Sequence, residues 1–375
     1  GQVLITEEAY FNREILRNDV VSLIDIYSDQ GYAYADIIPK LDEDMENQVV
    51  HINIKINKGS PVFFEKIIIG GNTRTRDKVI RRQFEVYEGE LFSGKRLKRS
   101  IRNLHRLGYF EDVQVDTRKG SGDDQMILNI DVKEKSTGTF SVGGGYSSVE
   151  KFFGTAAITE RNLFGHGLTL DLKANVGSVT QRVSLDLMEP WLFDTPLSAG
   201  VQLYSWNYDY DTYEKDSIGG SIRAGYPVYT DTRLFFKYTY DVADVINIDE
   251  DAAQSIKELA GKNTTSAILG SLRYDTRDRF FYTTRGQDHE VSVEYAGLGG
   301  DITFVKYMGK LSVYFPLVKG LVGFLNTEAG YVTNHGNGLL PDYDKLYLGG
   351  IHSLRGCEWR EVSATDEIGD AVGGG

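Results

Sequence analysis

Apolar and polar positions follow two different periods along this chain, and the change of period divides it. In the first third the apolar residues recur at helical spacing. Leu16, Val20, Leu23 and Ile26 share one face of a helix that opens at Phe11-Asn12-Arg13-Glu14 and stops at Gly31-Tyr32. Leu97, Ile101, Leu104 and Leu107 do the same in a helix opening at Phe92-Ser93-Gly94-Lys95 and stopping at Gly108-Tyr109. Asn12 and Ser93 are residues whose side chains accept from the orphan N–H groups of a first turn, and Gly31 and Gly108 are natural stops. Two alternating stretches follow each helix. Ile52-Asn53-Ile54-Lys55-Ile56 corresponds to Leu128-Asn129-Ile130-Asp131-Val132, 76 residues later. That spacing is a small domain used twice, longer than a solenoid repeat.

The second copy reads in full. A strand over 63–69 meets a turn at Gly70-Gly71-Asn72, a first helix is predicted from 73 to about 84, and the second helix and two strands follow. The order is βααββ. The first copy enters after its own first strand and helix, so residue 1 is expected to be a cut inside a domain.

From residue 139 the period becomes two. Leu168-Thr169-Leu170-Asp171-Leu172-Lys173-Ala174-Asn175-Val176 alternates without a break, as do Val183-Ser184-Leu185-Asp186-Leu187 and Val291-Ser292-Val293-Glu294-Tyr295. Eleven such strands are predicted, near 139–148, 151–160, 167–176, 181–189, 197–208, 216–226, 232–243, 264–275, 287–297, 302–315 and 321–333. Their connections alternate in kind. Glu189-Pro190-Trp191-Leu192-Phe193, Tyr226-Pro227-Val228-Tyr229 and Phe315-Pro316-Leu317-Val318 are compact, whereas 207–216, 244–263 and 334–370 read as long polar loops. Short aromatic-flanked turns at one end and long loops at the other, joining strands of about ten residues, are the mark of a transmembrane antiparallel β-barrel. Eleven is odd, and an open edge in lipid leaves backbone groups unsatisfied. The barrel is therefore expected to lack its last strands here.

Composition agrees. The 375 residues allow two or three domains, and 12% aromatics, 23 of them Tyr, argue for a folded chain. No apolar run approaches the roughly 20 residues of a membrane-crossing helix. A net charge of −13 opposes nucleic-acid binding. The single Cys357 excludes an internal disulfide framework and a four-Cys zinc site. The N-terminal Gly1-Gln2-Val3-Leu4-Ile5-Thr6 is no signal peptide, so the chain reads as the interior of a longer exported protein.

Searched for chemistry, the sequence offers little. Its six His residues have no metal-ligand spacing, and there is no nucleophile elbow or phosphate loop. Asp275 and Asp278 beside Arg277 read as a solvated rim turn. No catalytic residue, metal, cofactor or enzymatic activity is expected. Two features remain. Gly143, Gly144 and Gly145 lie in the first long strand, where they mark a bulge or a close approach. Between residues 74 and 106, eleven Lys or Arg against four Asp or Glu leave a surplus of seven positive charges. Arg96, Arg99 and Arg102 on that stretch form either a solvated helix face or a surface for anionic headgroups or an acidic partner.

Gly71-Asn72 and Gly108-Tyr109-Phe110 at their places in the repeat resemble a POTRA (polypeptide-transport-associated) domain. Glu160-Arg161-Asn162-Leu163-Phe164-Gly165, Glu189-Pro190-Trp191-Leu192-Phe193-Asp194 and Tyr274-Asp275-Thr276-Arg277-Asp278 are similar to barrel motifs of the BamA family of outer-membrane protein assembly factors. Gly349-Gly350-Ile351-His352-Ser353-Leu354-Arg355-Gly356 is similar to that family's Val/Ile-Arg-Gly-aromatic motif in the sixth extracellular loop, with Cys357 replacing the aromatic. The resemblance implies a truncated POTRA domain at 1–59, a complete one at 60–136 and a barrel over 137–375, sixteen-stranded in the whole protein, with the long loop at 334–370. It implies an outer-membrane location with periplasmic POTRA domains. It also implies folding and insertion of unfolded outer-membrane precursors through a lateral seam at strand one, with accessory lipoproteins and outer-membrane lipid as partners. Leu354, Arg355 and Gly356 become the loop-six motif and Gly143–Gly145 the seam. The related alternatives are the secretion pore of a two-partner system and a TamA-like assembly factor.

Overall fold

The computed structural model describes residues 10–147, 150–210, 212–279, 281–318, 320–336, 338–350, 353–357, 361–365 and 373–374. The chain divides into two compact units, Gly1–Thr137 with Asn162–Gly167, and Gly138–Arg161 with Leu168–Gly375.

In the first unit, α1 (Arg13–Asp29) starts where predicted, because Asn12 Oδ1 accepts from the Glu14 and Ile15 N–H groups at 2.8 and 3.3 Å. It is followed by the antiparallel pair β1 (Asp36–Asp44) and β2 (Val49–Asn57). The second repeat runs β3 (Phe63–Gly70), α2 (Asp77–Arg81), α3 (Gly94–Leu107), β4 (Phe110–Lys119) and β5 (Gln125–Glu134). Ser93 caps α3, and Gly108 ends it at φ +72°, a conformation glycine adopts without strain. The sheet order is β3-β5-β4, with β3 parallel and β4 antiparallel to the central β5. β5 presents Met126, Leu128, Ile130 and Val132 to a core that includes Phe64, Val79, Ile80 and Leu104. Each such fully buried apolar side chain contributes roughly 1.5–3 kcal/mol.

The first helix of this repeat is shorter than its periodicity predicts. Residues 73–75 remain outside α2 because their backbone donors have another acceptor. Glu134, at the end of β5, takes Thr73 N (3.0 Å), Arg74 N (2.9 Å) and Thr75 N (2.6 Å), together with the Thr73 hydroxyl at 2.8 Å. The segment Asn162–Gly167 completes this unit. Asn162 Nδ2 donates to Thr75 Oγ1 at 2.8 Å, its Oδ1 accepts from Gly167 N at 2.8 Å, and Arg76 N donates to Gly165 O at 3.0 Å.

The second unit is built on a sheet of eleven strands in strict chain order. They are β6 (Gly138–Ser147), β7 (Lys151–Leu163), β8 (Leu168–Val176), β9 (Thr180–Glu189), β10 (Ser198–Tyr210), β11 (Tyr213–Tyr229), β12 (Thr232–Ile246), β13 (Gly261–Asp275), β14 (Gly286–Ala296), β15 (Phe304–Val318) and β16 (Leu321–Thr333). The count and centres match the alternation. Pro227 and Pro316 sit inside β11 and β15, at register shifts that relieve the missing N–H. One loop is corrected. Residues 207–216 are a hairpin, with Asn207 opposite Asp216 and Tyr210 opposite Tyr213. Tyr208, Tyr210 and Tyr213 stack there with centroids 5.5 and 4.6 Å apart, so polar composition conceals an aromatic ladder. The loop over 247–260 carries the short helix α4 (Gln254–Lys257).

Alternation gives this sheet two unlike faces. Leu203, Ile218, Ile222, Phe236, Ile268, Leu272, Val291 and Leu311 are exposed on one. Charged pairs occupy the other, including Arg223 with Asp186 and Arg273 with Asp288 at 2.8 Å. An exposed apolar face of this extent is the surface a bilayer covers.

Candidate functional site

Three places hold the residues singled out in the sequence. The first is β6. Among the described residues it pairs only with β7. Gly144 lies opposite Gly154, and Gly145 lies opposite Phe153 with its α-carbon under the ring. None of the three glycines has positive φ. They are extended, and their role is to leave β6 thin. A Cβ on Gly145 would come within 2.8 Å of the Phe153 ring, and one on Gly144 within 3.1 Å of the Phe153 carbonyl. The strand is exposed throughout its first nine residues, with Phe140, Val142 and Tyr146 on the apolar face. β16, at the far end of the described sheet, also has one partner.

The second place is the segment after β16. Its first part is held firmly. Leu339, Leu340, Tyr343 and Leu346 pack against Tyr213, Val245, Ile256, Phe304 and Val332. Lys215 Nζ lies 3.5 Å from the Tyr343 ring centroid, and Ser255 Oγ donates to Asp342 at 2.5 Å. Asp344 stands 4.0 Å from Lys306 Nζ. Burial pushes the Asp344 carboxyl above its usual range, and Lys306 and Lys215 oppose that shift. Sequence reading missed this anchor, because its members come from two loops and the lysines are isolated cations on distant strands.

Beyond the anchor, the motif forms a compact turn. Gly350 N donates to Cys357 O at 3.0 Å, Cys357 N to Leu354 O at 3.3 Å, and Gly349 N to Ser353 Oγ at 2.9 Å. Gly349, Gly350 and Gly356 have φ of +118°, +92° and +103°. Leu354 and Arg355 are exposed on this turn, and Arg355 makes no ion pair among the described residues. Ile351 and His352 of the same motif lie outside the described residues.

The third place is α3, whose basic residues separate by function. Arg96 turns inward, donating to Glu90 Oε2 at 2.7 Å and to the carbonyls of Glu85 and Leu91 at 3.3 Å each. It braces its own domain. Arg99 faces Glu85 at 3.5 Å and Lys98 reaches Asp25 of α1 at 2.6 Å, leaving Arg102 exposed on the same helix. The rim turn is also more ordered than its composition suggests. Arg277 holds Asp275 through two bonds of 2.9 and 2.7 Å and lies 3.4 Å from Asp288, with only 12% of its side chain exposed. Asp278 instead caps the turn, accepting from Thr284 N at 2.9 Å and its hydroxyl at 2.5 Å.

Comparison with known proteins agrees with this architecture. Residues 162–375 match the Omp85 superfamily domain, and residues 1–59 and 62–135 each match the POTRA family, described as a surface antigen variable number repeat. The chain is 32% identical over 371 residues to the outer membrane protein assembly factor BamA of Nitratidesulfovibrio vulgaris, covering 98% of this chain and 47% of that protein. It is 28% identical to BamA of Neorickettsia risticii, covering 100% of this chain and 50% of that protein. The chain thus spans about half the length of the curated relatives it matches. In fold it is similar to the crystal structure of BamA from Haemophilus ducreyi lacking POTRA domains 1–3, with a TM-score of 0.79 at 22% identity over 99% of this chain and 76% of that one. CdiB from Acinetobacter baumannii gives 0.55 at 14% identity, over 93% of this chain and 65% of that one. With a strand-ordered sheet, two α+β repeats before it and a superfamily match over more than half its residues, the chain belongs to the Omp85 superfamily.

Proposed function

We propose that this chain works as an outer-membrane protein assembly factor, inserting β-barrel precursors without covalent chemistry. The sheet lies in the outer membrane and the POTRA domains in the periplasm. The observation that carries the reading is the glycine run Gly143–Gly145 of β6, which leaves the first strand of the sheet with little side-chain packing to hold a neighbour. A strand with unpaired donors and acceptors templates another strand, and in lipid each unsatisfied backbone group costs several kcal/mol. A precursor strand that pairs there satisfies both edges at once. The driving force is then the precursor's own folding and the burial of its apolar face in the bilayer.

In this reading POTRA domains receive the unfolded precursor, main-chain bonding to a sheet edge supplying affinity with little sequence preference. Accessory lipoproteins assist, and no nucleotide or cofactor takes part. The secretion-pore alternative shares the fold, but the 32% and 28% identity to two outer membrane protein assembly factors supports assembly. The test is a photo-crosslinker at Val142 of the full-length protein during import of a radiolabelled barrel precursor. Crosslinks to the precursor's terminal strand are expected. Crosslinks to no precursor, with export of an intact polypeptide from vesicles, would establish the pore instead.

A further inference from the structure

β3 lies at an edge of its sheet, with β5 on one side, and its sequence is of the kind that attracts another strand. Ile67, Ile68 and Ile69 are three β-branched residues in a row, and Ile68 keeps 42% of its surface exposed. The outer side of this edge is nonetheless occupied. At its start, backbone occupies it. Phe64 N donates to Glu90 O at 2.9 Å, Gly89 N donates to Phe64 O at 2.6 Å, and Phe63 forms an antiparallel bridge with Leu91.

Further along the strand, side chains take over. Glu88 Oε1 accepts from Ile67 N at 2.9 Å, and Arg81 Nη2 donates to Ile67 O at 3.4 Å. Together they offer Ile67 one acceptor and one donor, the pair that a neighbouring strand would offer. Arg81, the last residue of α2, is oriented by Asp77, whose Oδ2 lies 3.0 Å from its Nε, and stands 3.7 Å from Glu88 Oε1. With 44% and 49% of their side chains exposed, Arg81 and Glu88 contribute little as an ion pair. Their placement answers to the edge instead. Alternation turns Ile69 outward next, and β3 ends at Gly70, so an arriving strand finds no two consecutive outward positions open.

We propose that Glu88 and Arg81 guard the β3 edge. They stand in for a neighbouring strand and turn away extended polypeptide, whether a precursor segment or β3 of a second copy. Resting on the reading that POTRA sheet edges receive precursors by main-chain bonding, this edge is the one withheld from them, which restricts the side of the domain on which a precursor adds.

The test uses full-length protein in detergent with a photo-crosslinker at Ile68, and a short peptide of alternating Val and Thr as the extended probe. The wild type should capture the peptide at Ile68 no better than at Met45, an exposed position in the β1–β2 turn. Glu88→Ala with Arg81→Ala should raise capture at Ile68 about tenfold. Each single variant should give part of that gain, so the outcome stands even if the double variant does not fold. Glu88→Gln, which keeps an oxygen for Ile67 N, should stay near wild type. Strong capture at Ile68 by the wild type, a Glu88→Gln variant that captures as well as Glu88→Ala, or no gain in single variants whose POTRA domains keep wild-type protease resistance would each overturn the guard. The peptide is not a precursor, so such a failure is separate from failure of the crosslinking test at Val142.

Discussion

The Glu134 carboxylate lies 2.6 Å from the backbone nitrogen of Thr75, two residues before α2 begins. Burial alone would raise its pKa, but hydrogen bonds from Thr75, Thr73 and Arg74 outweigh burial and hold it at about 2. A carboxyl depressed in the folded state stabilises above its unfolded pKa and loses that contribution as pH falls through the folded one. The second POTRA domain should therefore lose stability between about pH 4.5 and pH 2. Glu134→Ala should cost about 2 kcal/mol at neutral pH and flatten this acid dependence, measurable by chemical denaturation of the unit at several pH values. An unaltered acid profile would remove Glu134 from the account.

Arg96 and Arg102 should respond differently. Arg96→Ala removes the donors to Glu90 and to two carbonyls, so it should destabilise the domain by roughly 1–3 kcal/mol. Arg102→Glu should leave melting unchanged and weaken association with anionic vesicles, an effect that salt reproduces. Vesicle binding insensitive to both Arg102→Glu and salt would leave Arg102 as a solvated residue.

The anchor after β16 makes a third prediction. Tyr343→Ala removes a packed ring and its contact with Lys215, and should cost about 3 kcal/mol. Protease should then cut the segment over 338–350 faster, with barrel heat resistance lowered. Lys306→Met, which strips Asp344 of its nearest cation, should act in the same direction. Wild-type proteolysis in both variants would show that the segment is held elsewhere.

Arg355 carries the fourth. An exposed cation on a glycine-bounded turn is positioned for a carboxylate, which the planar guanidinium grips through two parallel bonds. In the full-length protein Arg355→Ala should impair complementation of a depletion strain, and Arg355→Lys should be milder. Normal growth and heat resistance with Arg355→Ala would reduce the tripeptide to a surface turn.

Local chemistry makes much of this fold legible in the sequence. Asn12 and Ser93 place the two long helices, and uninterrupted alternation places all eleven strands. What stayed hidden depends on partners distant in sequence. Thr73 reads as helical until Glu134, 61 residues on, takes its donors. Residues 207–216 read as a loop because Asp209 and Asp216 mask three stacked tyrosines. The anchor at Asp342–Asp344 needs lysines from β11 and β15, which no local pattern connects.

The segment Asn162–Gly167 makes the first unit discontinuous in sequence. A fragment ending at residue 137 would leave Thr75 Oγ1 without the Asn162 donor and Arg76 N without the Gly165 acceptor. During synthesis and export, that unit gains its last hydrogen bonds only after some thirty further residues have emerged. Its maturation is thereby timed by the growth of a neighbouring strand pair, and stability values measured on an excised N-terminal piece will understate those of the same residues in the intact polypeptide.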